Sequence, residues 1–151
     1  MTKRNCFIFD LDGTICDVRH RRQYVATKPR NWDAWNAGLV NDKPHKAVQM
    51  VYQALRYNQY ETDLIIVSGR SDDYETETVN WLSNNEIFFD KLYMRKYKDH
   101  RDDSIVKGEI ADEILQTHNI LGVFDDRQRV VNMWIDRGIF VFDVGQGKGN
   151  F

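Results

Sequence analysis

Two aspartates stand two residues apart, directly after a short apolar run near the start of the chain. Residues 5–9 form the run, and it leads into Asp10-Leu11-Asp12-Gly13-Thr14. A carboxylate can attack phosphorus as a nucleophile, and a second one nearby can protonate the departing oxygen and later take a proton from water. The spacing of Asp10 and Asp12 therefore predicts transfer of a phosphoryl group through an aspartyl-phosphate.

Hydroxyl and cationic side chains suited to a phosphoryl group follow later in the chain. Thr14 and Ser68 can donate hydroxyl hydrogen bonds, and Arg70 stands two residues after Ser68. Lys107 lies four residues after Asp103 on a predicted helix, so the two can pair while the ammonium points into the site. The alternatives are a helix cap for Ser68 and a surface ion pair for Lys107.

Another short apolar run, at residues 120–124, ends at Asp125-Asp126. Carboxylates crowded at one edge of a sheet repel each other unless a cation neutralises them, and oxygen ligands without His or Cys favour Mg²⁺. Asp125-Asp126 alone is also typical of a helix cap, and the sequence leaves open which of the two binds metal directly. The predicted metal ligands are Asp10, Asp12, Asp125 and Asp126.

Apolar runs alternate with helical patterns along the chain. Strands are predicted at 5–9, 63–67 and 120–124, with weaker candidates at 87–94 and 139–144. Helices are predicted at 44–57, 71–82, 102–115 and 126–137. This alternation predicts an α/β fold with a mostly parallel, doubly wound sheet, whose carboxyl edge collects the polar residues. Residues 17–43 fit neither pattern, so we interpret them as a small cap insertion after strand 1.

Length and composition limit the alternatives. We expect one domain in the 151 residues, and the net charge of −2 argues against a broad basic surface that coats nucleic acid. The first residues lack a long apolar segment, and two cysteines are too few for a disulfide framework, so we expect a cytoplasmic protein without a membrane span. The four histidines are expected at the surface.

Two local basic stretches are compatible with a nucleic-acid substrate or with solvated surfaces. They are Arg19-His20-Arg21-Arg22 with Lys28 and Arg30, and Arg95-Lys96-Tyr97-Lys98 with His100 and Arg101.

The polar motifs, taken in order, resemble the four motifs of the haloacid dehalogenase superfamily. They are matched by Asp10 to Thr14, Ser68, Lys107 and Asp125-Asp126. The resemblance covers nearly the whole chain and implies a Rossmann-like core.

A closer resemblance is to the 3′-phosphatase domain of phage polynucleotide kinase-phosphatases, through residues 7–14, 67–70, 101–107 and 125–134. It implies active-site roles for Arg70, Asp103 and Lys107. It also implies an arginine in the loop after the first motif, for which Arg21 is the best match beside Arg19 and Arg22. The predicted substrate-binding residues are Thr14, Arg21, Gly69 and Asp103.

The resemblance predicts hydrolysis of a terminal 3′-phosphate on DNA or RNA, as in nucleic-acid repair. A 5′-nucleotidase or another small-molecule phosphatase of the same fold is the alternative, and a non-catalytic binding module is opposed by the presence of both Asp10 and Asp12. The expected partner is a phosphorylated nucleic-acid end or a nucleotide. No stable protein partner is inferred, and the oligomeric state stays open. No phosphate-binding loop of the G-x-x-x-x-G-K-[ST] type occurs, so we expect a phosphatase without a kinase.

Overall fold

A computed structural model describes residues 2–146 and contains two sheets and five α-helices in that range. The strands are β1 (Arg4–Phe9), β2 (Cys16–Asp17), β3 (Lys43–Pro44), β4 (Thr62–Ser71), β5 (Lys91–Arg95), β6 (His118–Asp125) and β7 (Val141–Asp143). The helices are α1 (Trp32–Ala37), α2 (Lys46–Arg56), α3 (Glu75–Asn84), α4 (Asp103–Leu115) and α5 (Gln128–Asp136). Three 3-10 helices span Arg19–Tyr24, Gly38–Asn41 and Asp72–Tyr74.

Five parallel strands form the main sheet in the order β5-β4-β1-β6-β7. Side chains alternate between its two faces, so Phe9 of β1 packs with α2 and α3, while Ile8 packs with α4 and α5. The central strand is therefore buried on both sides, which explains its continuous apolar run. The predicted α/β fold with a doubly wound parallel sheet is confirmed.

The insertion after β1 begins and ends at a short pair of antiparallel strands, β2 and β3. β2 and β3 pair antiparallel, with Cys16 opposite Pro44 and Asp17 opposite Lys43. The chain between them holds α1 and two of the 3-10 helices, and the ring of Trp35 is buried there. The insertion therefore lies beside the carboxyl end of β1, where the polar motifs are expected.

Several element boundaries differ from the sequence prediction. Pro44 pairs within β3, so α2 begins only at Lys46. Ser71 ends β4 and makes no side-chain cap. Asp126 precedes α5, and β5 begins at Lys91 rather than at residue 87. At Pro44 and Ser71, pairing with a neighbouring strand decides the boundary rather than local propensity.

Within residues 2–146, no helix combines the length and the apolar composition needed to cross a membrane.

Candidate active site

Asp10 follows the last residue of β1 and is buried at the carboxyl edge of the sheet. Its Oδ1 accepts a hydrogen bond from Nζ of Lys107 at 2.8 Å, and its Oδ2 accepts one from the hydroxyl of Thr14 at 3.1 Å. Lys107 comes from α4 and also donates to Oδ2 of Asp125 at 3.1 Å. The predicted nucleophile is thus oriented by a cation and a hydroxyl.

Three carboxylates meet beside this ammonium. Oxygens of Asp10, Asp125 and Asp126 all lie within 4.8 Å of one another. Oδ1 of Asp125 accepts two backbone N–H groups, which directs its other oxygen toward the cluster. Gly13 has a φ of 86°, and a Cβ at that position would overlap the Asp126 carboxylate, so this close approach requires glycine. A buried set of carboxylate oxygens fits Mg²⁺.

The negative charge of these three carboxylates exceeds the positive charge of the one ammonium beside them. Burial raises the pKa of Asp10 well above its usual range, and the charges of Asp125 and Asp126 raise it further. Burial, followed by the charge of Asp125, raises the pKa of Asp126 to about 6. Burial opposes the charged form of Lys107, but the surrounding carboxylates raise its pKa well above the usual value. One ammonium thus faces three carboxylates, and a divalent cation would remove the excess negative charge.

Asp12 faces two arginines instead of this cluster. Nη2 of Arg70 and Nη2 of Arg21 donate to its Oδ1 at 2.6 and 2.8 Å. Burial works to raise the pKa of Asp12, but Arg70 and then Arg21 outweigh it and lower that pKa to about 2. Asp12 is therefore ionised at neutral pH, in the form that accepts a proton from water. Its carboxylate lies outside the group formed by Asp10, Asp125 and Asp126, although the sequence analysis counted it among the ligands of the same metal.

Asp42 is a buried carboxylate that the sequence analysis did not single out. Nε and Nη2 of Arg21 donate to its two oxygens at 2.8 and 2.6 Å, and Nη2 of Arg70 lies 3.4 Å from its Oδ2. Its backbone carbonyl accepts a hydrogen bond from Nε1 of Trp81 at 2.8 Å. Asp42 thus orients both arginines that hold Asp12. No motif or spacing in the sequence signals this role.

The remaining predicted residues lie around the cluster. The hydroxyl of Ser68 accepts the backbone N–H two residues later at 3.1 Å. Arg95 donates to the carbonyl of Gly69 at 2.9 Å and to Oδ1 of Asp103 at 3.2 Å. Oδ2 of Asp103 lies 3.7 Å from Nζ of Lys107, the pairing that their spacing predicts. All predicted site residues therefore lie at one edge of the sheet.

The first basic stretch divides between the site and the surface. Arg21 is buried, with its guanidinium carbon 4.2 Å from the centroid of the Trp35 ring. Arg19 is exposed and pairs with Asp17 at 2.6 Å. Of these two arginines, Arg21 is the one that reaches Asp12.

A cleft of about 610 Å³ is lined by Asp10, Asp12 and Lys107 and by residues of the insertion and of the loop after β5. Lys96 is not among the described residues that line it. From the two basic stretches, the lining residues are Arg30, Arg95, Tyr97, Lys98, His100 and Arg101. The basic stretches therefore contribute cations to the same cleft as the carboxylates.

Residues 4–151 match the profile of the polynucleotide kinase PNKP phosphatase domain. The chain belongs to this phosphatase-domain family. It is therefore a phosphatase domain of the haloacid dehalogenase type, and the predicted resemblance to polynucleotide kinase-phosphatases is confirmed.

A protein of Autographa californica nuclear polyhedrosis virus, named bifunctional polynucleotide kinase/RNA ligase, is 37% identical over 141 residues. The match covers 89% of this chain and 18% of the viral protein.

Two solved structures are similar to this chain to different degrees. A chain in the structure of the Pnkp1/Rnl/Hen1 RNA repair complex has a TM-score of 0.80 and 27% identity, covering 98% of this chain and 43% of that one. A haloacid dehalogenase-like hydrolase from Streptococcus pneumoniae has a TM-score of 0.63 and 15% identity, covering 95% of this chain and 85% of that one, which shows the fold alone. The phosphatase domain described here spans less than half of the viral relative and of the repair-complex chain.

Proposed function

We propose that the chain is a Mg²⁺-dependent phosphomonoesterase that removes terminal 3′-phosphates from polynucleotides through an aspartyl-phosphate. The observation that carries the proposal is the separation of two neighbouring carboxylates into different environments. Asp10 lies against Lys107 and Thr14, whereas Asp12 lies between Arg21 and Arg70. Two carboxylates with different environments can act as nucleophile and as proton-transfer group in the same reaction.

In the first step, a carboxylate oxygen of Asp10 forms a bond to phosphorus while the bond from phosphorus to the ester oxygen breaks. Asp12 gives a proton to the departing oxygen. The arginines keep Asp12 ionised in the free enzyme, and a dianionic phosphate placed beside it raises its pKa by like-charge repulsion, which favours uptake of that proton.

In the second step, Asp12 takes a proton from a water molecule, whose oxygen attacks phosphorus. The bond between phosphorus and Asp10 breaks, and inorganic phosphate leaves. The hydroxyl of Thr14 and the ammonium of Lys107 lie where they can donate hydrogen bonds to the phosphoryl oxygens in both steps.

The residues that would hold Mg²⁺ are Asp10, Asp125 and Asp126. The fit rests on their all-oxygen donor set, their burial and the excess of negative charge beside one ammonium. When bound, the ion supplies positive charge that allows an anionic ester to approach the anionic Asp10. Thr14 and Lys107 then complete the donor set around the phosphoryl group.

The family supports a phosphorylated nucleic-acid end as the substrate class. The insertion at residues 17–43 is our proposal for the cap that selects it. The insertion contributes Arg30 and Trp32 to the cleft, and the loop after β5 contributes Tyr97 and Lys98. A cleft with cations and exposed rings suits a substrate with phosphates and bases.

A phosphate-release screen with Mg²⁺ tests the proposal. The substrates are one oligonucleotide phosphorylated at its 3′ end, the same oligonucleotide phosphorylated at its 5′ end, a 3′-mononucleotide and a 5′-mononucleotide. The 3′-phosphorylated oligonucleotide should have the highest kcat/KM. A preference for the 5′-mononucleotide would replace the proposal with a nucleotidase.

A further inference from the structure

Two exposed aromatic rings from separate parts of the chain line the cleft that contains Asp10. Trp32 begins α1 in the insertion, and Tyr97 lies in the loop after β5. Their exposed fractions are 48% and 60%. Neither ring is buried in the hydrophobic core, so packing of the fold does not explain their position.

Each ring is paired with a cation from its own segment. The guanidinium carbon of Arg30 lies 5.9 Å from the centroid of Trp32, and Nζ of Lys98 lies 5.5 Å from the centroid of Tyr97. Both cations also line the cleft. Each pair thus offers a flat face for a base and a positive charge for a phosphate.

Arg30 and Lys98 differ from the other cations of the cleft. Within residues 2–146, neither has a carboxylate at ion-pair distance. The remaining arginines and lysine of the cleft lie within that distance of at least one carboxylate, and they are Arg70, Arg95, Arg101, Lys107, Arg127 and Arg129. The two cations without a carboxylate partner are therefore the two that accompany the exposed rings.

The loop that carries Tyr97 is held in a specific conformation. The backbone N–H of Tyr97 donates to Oδ1 of Asp72 at 2.9 Å, and the N–H of Asp99 donates to the carbonyl of Lys96 at 3.0 Å. Lys98 has a φ of 67°, a region in which glycine is favoured over a residue with a Cβ. This turn fixes the backbone from which the ring and the ammonium project.

We propose that the pairs Trp32/Arg30 and Tyr97/Lys98 bind the unpaired bases and backbone phosphates next to the phosphorylated end, so that the enzyme selects single-stranded ends. This proposal rests on the proposed function and extends it to the structure of the substrate. A base can stack on an exposed ring only when it is not held in a duplex, and such stacking tolerates any sequence.

The test compares kcat/KM for two single-stranded 3′-phosphorylated oligonucleotides of equal length, one with bases throughout and one with abasic nucleotides near the 3′ end. Their ratio isolates the contribution of the bases. The wild-type ratio should be roughly tenfold or more, the scale of a base–aromatic stack. Trp32→Leu and Tyr97→Leu should each bring it closer to one, while Trp32→Phe and Tyr97→Phe should keep most of it.

Tyr57→Leu is the matched control, because Tyr57 is 77% exposed and lies outside the cleft at the end of α2. It should leave the ratio at the wild-type value. If Trp32→Leu does not fold, Tyr97→Leu still tests the proposal, because Tyr97 lies in an exposed loop. A 3′-phosphate at a blunt duplex end should be removed more slowly than one on a single-stranded overhang.

A wild-type ratio near one, unchanged ratios in both Leu variants, or equal rates on blunt and overhanging ends would overturn the proposal. Failure of the proposed function itself would give a different result: the wild-type enzyme would release phosphate from a mononucleotide but from neither oligonucleotide.

Discussion

Nζ of Lys107 lies 2.8 Å from Oδ1 of Asp10, although 97 positions separate the two residues in the chain. The same ammonium donates to Asp125, so two of the three clustered carboxylates share one cation. Among the described residues, Asp126 has no cation within ion-pair distance, and the hydroxyl of Thr14 donates a long hydrogen bond to its Oδ1 at 3.4 Å. The arrangement leaves negative charge that destabilises the metal-free fold.

Asp126→Asn should therefore stabilise the protein in EDTA at neutral pH. The pKa of Asp126 is about 6 in the fold and lies near 4 in an unfolded chain, so its ionisation costs the folded state about 3 kcal/mol above pH 6. Removing this charge should raise the Tm by roughly 6 to 12 °C. Because the pKa is raised, the penalty shrinks as pH falls from 6 to 4, and so should the gain from Asn.

Thermal unfolding followed by circular dichroism measures this effect. Asp112→Asn provides the control, because Asp112 is an exposed carboxylate paired with Arg137 and should show no such gain. A lower Tm for Asp126→Asn in EDTA would show that its carboxylate is not under repulsion.

Mg²⁺ should be required for activity and should bind more weakly at low pH. EDTA should stop phosphate release, and added Mg²⁺ should restore it. The pKa of Asp126 is raised to about 6 and that of Asp10 is also raised, so protons compete with the ion as pH falls below about 6. The Mg²⁺ concentration that gives half of the maximal increase in Tm should rise about tenfold per pH unit there. Activity indifferent to EDTA would contradict the metal assignment.

The sheet and its polar edge could be predicted because both depend on local patterns. The apolar runs before Asp10, Ser68 and Asp125 are short and continuous, as buried parallel strands require. The spacing of Asp103 and Lys107 likewise predicted their pairing on α4. The stronger hydrogen bond from Lys107 to Asp10 depends on the packing of α4 against the sheet, which no spacing within the helix reveals.

Residues whose surroundings come from distant segments could not be predicted. Asp42 stands alone before Lys43-Pro44, and its contacts with Arg21 and Arg70 appear only when the insertion returns to the sheet. The expectation that His118 lies at the surface was wrong. It begins β6, is buried, and its Nε2 lies 2.7 Å from Oδ2 of Asp63 at the opposite edge of the sheet from the site.

Asp10→Asn should reduce kcat at least a thousandfold, because a neutral amide cannot attack phosphorus as the carboxylate does. Phosphate release from an aryl phosphate and from the best substrate of the screen measures the loss. Asp17→Asn changes a half-buried carboxylate paired with the exposed Arg19 and should keep wild-type activity. Near-normal turnover by Asp10→Asn would remove it from the role of nucleophile.

The loss of kcat caused by Asp12→Asn should depend on the leaving group of the substrate. From a nucleoside 3′-phosphate the nucleoside leaves as a strongly basic 3′-alkoxide that needs a proton, so kcat for this substrate should fall roughly 100- to 10,000-fold. An aryl phosphate with an acidic phenol barely needs that proton and should lose less. Asp42 still holds Arg21 in this variant, which limits rearrangement of the site. Equal losses on both substrates would exclude the acid role.

Lys98 and Lys96 should differ in their effect on the salt dependence of substrate binding. Lys98 lines the cleft, whereas Lys96, two residues earlier, is exposed and does not line it. A cation that contacts a backbone phosphate contributes about one unit to the slope of log KM against log salt concentration. Lys98→Gly should remove this contribution for a 3′-phosphorylated oligonucleotide, and glycine suits the φ of 67° at that position. Lys96→Ala should leave the slope unchanged. A wild-type slope in Lys98→Gly would show that Lys98 is a solvated surface residue. A slope reduced only by Lys96→Ala would place the phosphate path outside the cleft.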